Sequence, residues 1–338
     1  MLVPTIDLRD FHGAGSTSTS RSSAVKRIAR ACSGIGFFQV VGHDIDPALR
    51  RSLLDASKEF FALPAAEKQR VSMAHGGRAW RGWFPPGGEL TSGVPDAKEG
   101  YYFGRHLDAT HPAVRQQLPM HGPNLHPSHP QRLGPLVEQW IQQVSEVGMV
   151  VLRAMALGLG LAEDHFERWC ADPVVLFRIF HYPAAPALAD SDWGVAEHTD
   201  YGLLTLLAQD DTGGLQVHGP DGWLDVPPDP DALVCNLGDM IERVTGGRYR
   251  STPHRVSRPE RDRISMPLFL DPSWDAVVEP IAALDGAGSR DPRISTRWDG
   301  ESVFEGPTVY GDYLTAKVSR VFPHLFATEL DGPDEPES

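Results

Sequence analysis

The chain has 338 residues, with 31 Lys+Arg against 45 Asp+Glu and a formal charge of −14. An acidic surface repels phosphate backbones, which argues against a nucleic-acid partner, and no apolar run approaches the ~20 residues that a membrane-spanning helix needs. The three cysteines, Cys32, Cys170 and Cys235, are scattered and make neither a disulfide framework nor a CxxC metal knuckle. MLVPTIDLRDF at the start carries no basic and apolar signal regions, so the expectation is a cytoplasmic protein, a monomer or weak homo-oligomer.

Residues 13–20, GAGSTSTS, read as a loop. A helix follows, capped by Ser22 or Ser23, with an apolar stripe of Val25, Ile28, Ala29 and Cys32 and a stop at Gly34. Phe37–Val41 is a strand candidate ended by Gly42. Asp46-Pro47 opens a second helix, a cap followed by proline at the first helical position, which stops before Pro64. Residues 75–130 are rich in Gly, Pro and His and irregular, with one strand candidate at 99–103. A long helix is expected within 131–158, with Val137, Trp140, Ile141, Val144 and Val151 on its core face, and a short one over 162–170. From residue 173 the texture changes to short β-type runs at 174–182, 202–208, 214–218, 223–227, 232–237, 249–256 and 263–270, with a strong turn signal at Gly219-Pro220-Asp221-Gly222. Such spacing argues for a sandwich or barrel rather than a βαβ sheet. The expected organisation is an N-terminal region over 1–125, a helical connection over 126–172, a β core over 173–275, a C-terminal segment over 276–328 and a disordered tail over 329–338.

His-x-Asp occurs twice, at His106-Leu107-Asp108 and His198-Thr199-Asp200. The first lies in GRHLDATHP, without a strand pattern, and reads as a loop histidine beside a turn-capping aspartate. The second fronts the apolar run 203–208, where residues two apart on a strand share a face. A polar pair beside a buried strand is costly without partners, and a metal would be one. His254, in a run entered from the turn Gly246-Gly247, is a third ligand candidate. Two His and one Asp suit a facial triad with open metal positions, the arrangement of non-haem Fe(II) oxygenases. Arg263 and Ser265 follow on one strand face, a guanidinium fork and a hydroxyl that suit a carboxylate. R-x-S also occurs at Arg21, Arg255 and Arg293, but only at Arg263 does it follow a candidate ligand and open an apolar strand.

The ordered set HTD, HRV and RIS resembles the Fe(II)/2-oxoglutarate-dependent dioxygenases of the isopenicillin-N-synthase-like group. VPTIDL, GFFQVVGHDI, CNLGDMIERVTGGRYRSTPHRV and RISMPLFLDP extend the similarity over most of the chain. The resemblance implies a mainly β fold with helical additions around a double-stranded β-helix (jelly-roll) core. His198, Asp200 and His254 would bind Fe(II), and Arg263, Ser265 and Tyr182 would bind the 2-oxoglutarate cosubstrate, with O2 as oxidant. Phe180-His181-Tyr182-Pro183 stands where plant members have Asn-Tyr-Tyr-Pro, so the Asn contact is absent. Hydroxylation of a small molecule is the implied reaction, with desaturation, cyclisation or ethylene formation from 2-oxoglutarate as other outcomes. An oxidase of this fold that does not use 2-oxoglutarate and a non-catalytic jelly-roll binding protein stay open.

Two charges point to the substrate. Arg178 shares a strand face with Phe180 and Tyr182. Glu89 and Thr91 lie in the Gly-rich stretch 81–93, which resembles the substrate loop of the ethylene-forming and homoarginine-hydroxylating branch. There Glu89 would take a cationic tail and Arg178 a carboxylate, giving an amino acid such as arginine or homoarginine.

Overall fold

The computed structural model describes residues 3–91, 93–184, 193–284, 308–323 and 326–327. β1 (Thr5–Asp7) leads through α1 (Arg9–His12) and α2 (Ser18–Ser33) to β2 (Phe37–Val41). α2 starts ahead of the expected Ser22 or Ser23 cap because Thr17 and Ser20 form a capping box. The Thr17 hydroxyl accepts from the Ser20 amide at 3.1 Å and the Ser20 hydroxyl from the Thr17 amide at 2.9 Å, a device worth about 1 kcal/mol that turns a loop-like Ser/Thr run into a first helical turn. α3 (Pro47–Phe61) begins as expected, with Asp46 accepting from the Ala48 amide at 2.8 Å.

The irregular region holds α4 (Ala65–Lys68), β3 (Gly82–Phe84), the hairpin of β4 (Leu90–Thr91) and β5 (Val94–Pro95), β6 (Glu99–Gly104) and α5 (Pro112–Arg115). α6 (Leu133–Gly158) buries all five residues expected on its core face. Over 162–170 only a 3-10 turn, Glu167–Trp169, forms. The β-rich half then runs β7 (Pro173–Tyr182), β8 (Trp193–His198), β9 (Leu204–Gln209), β10 (Leu215–Gly219), β11 (Gly222–Asp225), β12 (Leu233–Leu237), α7 (Asp239–Val244), β13 (His254–Ser257) and β14 (Arg263–Ser273). β15 (Val277–Val278) pairs with β16 (Thr308–Val309), and α8 (Tyr310–Val321) follows. The acidic tail expected to be disordered lies outside the described residues.

An eight-stranded sheet has the order β1-β2-β12-β9-β14-β7-β6-β3, and a four-stranded sheet the order β11-β10-β13-β8. Strands from before residue 125 thus extend the large sheet at both edges. β9, β12 and most of β14 are buried along their length because both faces are covered. α6 lies against one face, closely enough that a Cβ on Gly148 would stand 2.8 Å from Leu270. The other face looks across a cavity to the small sheet, the fold of a jelly roll.

Candidate active site

β13 pairs with β8 so that His254 stands opposite His198. The spacing predicts His198 and Asp200 together at the head of the strand that begins at 202. Instead His198 ends β8, and Asp200 lies in the segment that turns from β8 into β9. β8 carries little signal because Trp-Gly-Val-Ala-Glu-His has only Trp193 and Val195 as strand formers, beside Gly, Ala and Glu, which strands disfavour. The run expected at 249–256 likewise shrinks to β13, since the amides ahead of it bond outside any strand, Tyr249 to the Thr245 hydroxyl at 3.1 Å, Arg250 to the Cys32 carbonyl at 3.0 Å and Ser251 to Glu242 at 2.7 Å.

Each imidazole is fixed by its own chain. His198 Nδ1 bonds the Ala196 carbonyl at 2.8 Å and His254 Nδ1 the Thr252 carbonyl at 3.2 Å. A proton on Nδ1 leaves Nε2 as a lone pair. Both Nε2 atoms turn to one oxygen, Asp200 Oδ1, at 4.0 Å from His198 and 3.8 Å from His254. Asp200 Oδ2 accepts from Asn236 Nδ2 at 2.6 Å and from the Thr205 hydroxyl. Burial pushes the His254 imidazole down to about 4, which keeps it neutral and able to ligate at pH 7. Burial works to raise the Asp200 carboxyl, but the two imidazoles and the Thr205 and Asn236 donors more than offset it, and it stays ionised. Two neutral Nε2 donors and one carboxylate oxygen, all within 4.8 Å of one another, make a facial donor set for a divalent ion.

A cavity of about 460 Å³ opens from this cluster between the sheets. At one end Arg263 is fully buried. Its Nε donates to the Gly213 carbonyl at 2.6 Å and one terminal nitrogen to Gln209 Oε1 at 3.2 Å. The Tyr182 ring lies 4.7 Å beneath it, and Ser265 shares its strand face. Its Nη1 has no hydrogen-bond partner, nor has Gln209 Nε2 beside it. An unpaired buried charge costs several kcal/mol, so this end of the cavity is built for an anion.

The wall towards the small hairpin carries the other charges. Arg178 is stacked 3.5 Å over the Tyr102 ring, and its Nη1 is buried without a partner. It forms no ion pair with a carboxylate among the described residues. Glu89 accepts from the Tyr102 hydroxyl through Oε1, while its Oε2 stands 2.8 Å from Lys98 Nζ. Lys98 also meets Asp96, which accepts from the Thr91 hydroxyl at 2.8 Å. Glu89 is therefore not the bare acid that its Gly-rich surroundings suggest, and Thr91 is directed at Asp96. Asp271 is a further buried cavity residue, one that no motif marks. Its only sequence signal is strand period, at Arg263, Ser265, Pro267, Phe269 and Asp271. Burial pushes its carboxyl up to about 7.

Two family models match the chain. The N-terminal model of the non-haem dioxygenases of morphine synthesis covers residues 3–129, and the 2OG-Fe(II) oxygenase superfamily model covers residues 173–272. A probable iron/ascorbate oxidoreductase of Dictyostelium discoideum is 40% identical over 96% of this chain and 95% of its own. The chain belongs to the 2OG-Fe(II) oxygenase superfamily. A homoarginine-6-hydroxylase of Arabidopsis thaliana is 34% identical over 89% of this oxygenase and 90% of its own length. The crystal structure of a full-length Neurospora crassa protein in complex with α-KG and thymine superposes with a TM-score of 0.77 at 26% identity, covering 94% of this chain and 96% of that one. The oxygenase accordingly uses Fe(II) and 2-oxoglutarate, and both have matching donors here: two oriented Nε2 atoms with Asp200 Oδ1 for the metal, and the orphaned Arg263 Nη1 for a carboxylate. No helix among the described residues is long and apolar enough to cross a membrane.

The decoy pair behaves as its surroundings imply. Asp108 accepts from the Thr110 amide at 2.7 Å and closes a turn. His106 stays at the surface, beside His126 and Glu138. Phe180 and His181, the departures from the plant pattern, point to opposite faces. Phe180 lines the cavity under Lys98, and His181 bonds Glu99 at 2.9 Å on the far side.

Proposed function

We propose that this oxygenase acts on a free, cationic amino acid such as arginine or homoarginine, with His198, Asp200 and His254 holding Fe(II) and Arg263, Ser265 and Tyr182 holding 2-oxoglutarate. When bound, the metal and cosubstrate supply the oxidant as 2-oxoglutarate is decarboxylated to succinate with O2. The chain's own part is to orient. Asn236 and Thr205 fix which Asp200 oxygen faces the imidazoles, Arg263 anchors the cosubstrate, and the walls between the sheets exclude water.

The observation that carries the substrate reading is the buried, orphaned Nη1 of the half-buried Arg178, a cation lining the cavity with no ion pair to an acid among the described residues, and so a seat for a substrate carboxylate. The opposite end of that seat is supported by charge. Glu89 and Asp96 both bear on Lys98, and Glu89 stays ionised beside it, so the hairpin wall offers acids to a cationic tail. The similarity to a homoarginine-6-hydroxylase points the same way.

Two measurements test this. Anaerobic addition of Fe(II) and 2-oxoglutarate should give the metal-to-ligand charge-transfer band, and its absence would remove the cosubstrate assignment. A panel of free amino acids should then raise succinate release, basic members most. A panel in which none does so, while the band forms, would refute the substrate class and leave the cofactor reading standing.

A further inference from the structure

Asp271 belongs to the same wall as the cosubstrate residues but to its other end. Thr205, which bonds Asp200, stands opposite Phe269. Arg263 is three same-face positions to one side of that level and Asp271 is one position to the other. By the register of β7 on β14, Arg178 stands opposite Pro267, between them. A group at Asp271 thus lies across the metal cluster from the Arg263 anchor, on the side left to the substrate.

The carboxyl is held there by shape. A Cβ on Gly202 would stand 1.5 Å from Asp271 Oδ1, so only glycine at 202 leaves the space that this oxygen occupies. Yet Asp271 Oδ1 has no hydrogen-bond partner, although the Tyr310 hydroxyl lies close enough to draw the carboxyl down. Among the described residues no cation pairs with it. A buried acid that no cation balances costs folding free energy. The cavity therefore contains a cation, Arg178, and an acid, Asp271, that are not paired to each other and that each present an unsatisfied atom. The ligand that satisfies both carries an acid and a protonated amine a few bonds apart.

We infer that Asp271 is a substrate-binding residue that takes the α-ammonium of the amino acid whose carboxylate Arg178 receives. The inference rests on the amino-acid reading and adds the group that distinguishes an amino acid from a simple acid. It assigns selectivity to Asp271, whereas the hairpin acids face the tail.

The test compares L-arginine with its des-amino counterpart, 5-guanidinopentanoate, by succinate release; should another amino acid be the fastest on the panel, it and its own des-amino acid are used. The unaltered enzyme should prefer the amino acid in kcat/KM by about tenfold or more, the size of a charge-assisted hydrogen bond. Asp271→Asn should lose most of that preference through a higher KM for the amino acid, leaving the des-amino acid little changed. The charge-transfer band with Fe(II) and 2-oxoglutarate should persist in Asp271→Asn and reports an intact fold and cosubstrate site. An unaltered enzyme that fails to discriminate overturns the inference without any variant. So does an Asp271→Asn enzyme that keeps the preference. If no amino acid raises succinate release, the substrate reading fails and takes this inference with it; if amino acids are turned over but the preference does not depend on Asp271, this inference alone fails.

Discussion

Asn236 donates to Asp200 Oδ2 at 2.6 Å and, with the Thr205 hydroxyl on the same oxygen, leaves Oδ1 as the oxygen presented to His198 and His254. Outer-shell partners of this kind typically contribute about 10- to 100-fold in metal affinity. Asn236→Ala should therefore weaken Fe(II) binding by about that factor, while Thr205 still holds the carboxylate in place. Fe(II) titration at saturating 2-oxoglutarate, read by the charge-transfer band, checks it. Unchanged affinity would mean that Thr205 alone orients Asp200.

Arg263 tests the cosubstrate end. Its unpartnered Nη1 is the group proposed to meet the distal carboxylate. Arg263→Leu should raise the apparent Kd of 2-oxoglutarate by about 100-fold, the loss expected for a charge-assisted pair of about 3 kcal/mol. Melting curves give an independent reading, since a ligand that binds only the folded state raises Tm. The unaltered protein should gain Tm on addition of 2-oxoglutarate with Fe(II), and Arg263→Leu should not gain it at the same concentration.

Much of this arrangement is legible from sequence, and what is not has a physical cause. The strands of the core read clearly because β9 and β12 are buried on both faces and are mostly apolar, with Thr205, Gln209 and Asn236 as their polar positions. That His198, Asp200 and His254 form one candidate ligand set is legible from spacing, but its local geometry is not. β8 has little strand propensity, so the pattern assigns Asp200 to the strand that follows it rather than to the turn between two strands. Glu89 is visible as an acid in a Gly-rich loop, but Lys98, its partner across a two-stranded hairpin, is not, because β4 and β5 have two residues each and carry no periodic signal. Asp271 escapes because strand period places it on the cavity face without revealing that Gly202 and the triad's loop lie against it.

Glu89→Gln separates substrate recognition from the chemistry. The substitution removes one charge from a wall where Asp96 still holds Lys98, so the hairpin keeps its internal ion pair. A cationic amino acid should lose about tenfold or more in apparent affinity. Uncoupled 2-oxoglutarate turnover, measured without amino acid, should be little altered because Glu89 makes no contact with the Arg263 end. If amino-acid affinity is unchanged in this variant, the tail lies elsewhere and the charge of the hairpin serves only to hold Lys98.

Asp271 also predicts a pH dependence of stability. Its carboxyl is pushed by burial from the ordinary 3.8 up to about 7, with Asp200 raising it further and Tyr310 and Arg178 drawing it down. Between those two values the folded chain holds a proton that the unfolded chain has released, so this group's contribution to stability falls as pH rises through the window and levels off above about 7. An asparagine at 271 has no such proton. In the metal-free protein, Tm of Asp271→Asn relative to the unaltered chain should climb from about pH 5.5 to about pH 8 and then stay flat. Groups far from Asp271 titrate alike in both proteins and cancel in the difference. A Tm difference constant over that range would show that the carboxyl ionises near its ordinary value, meaning that solvent or a cation reaches it inside the cavity.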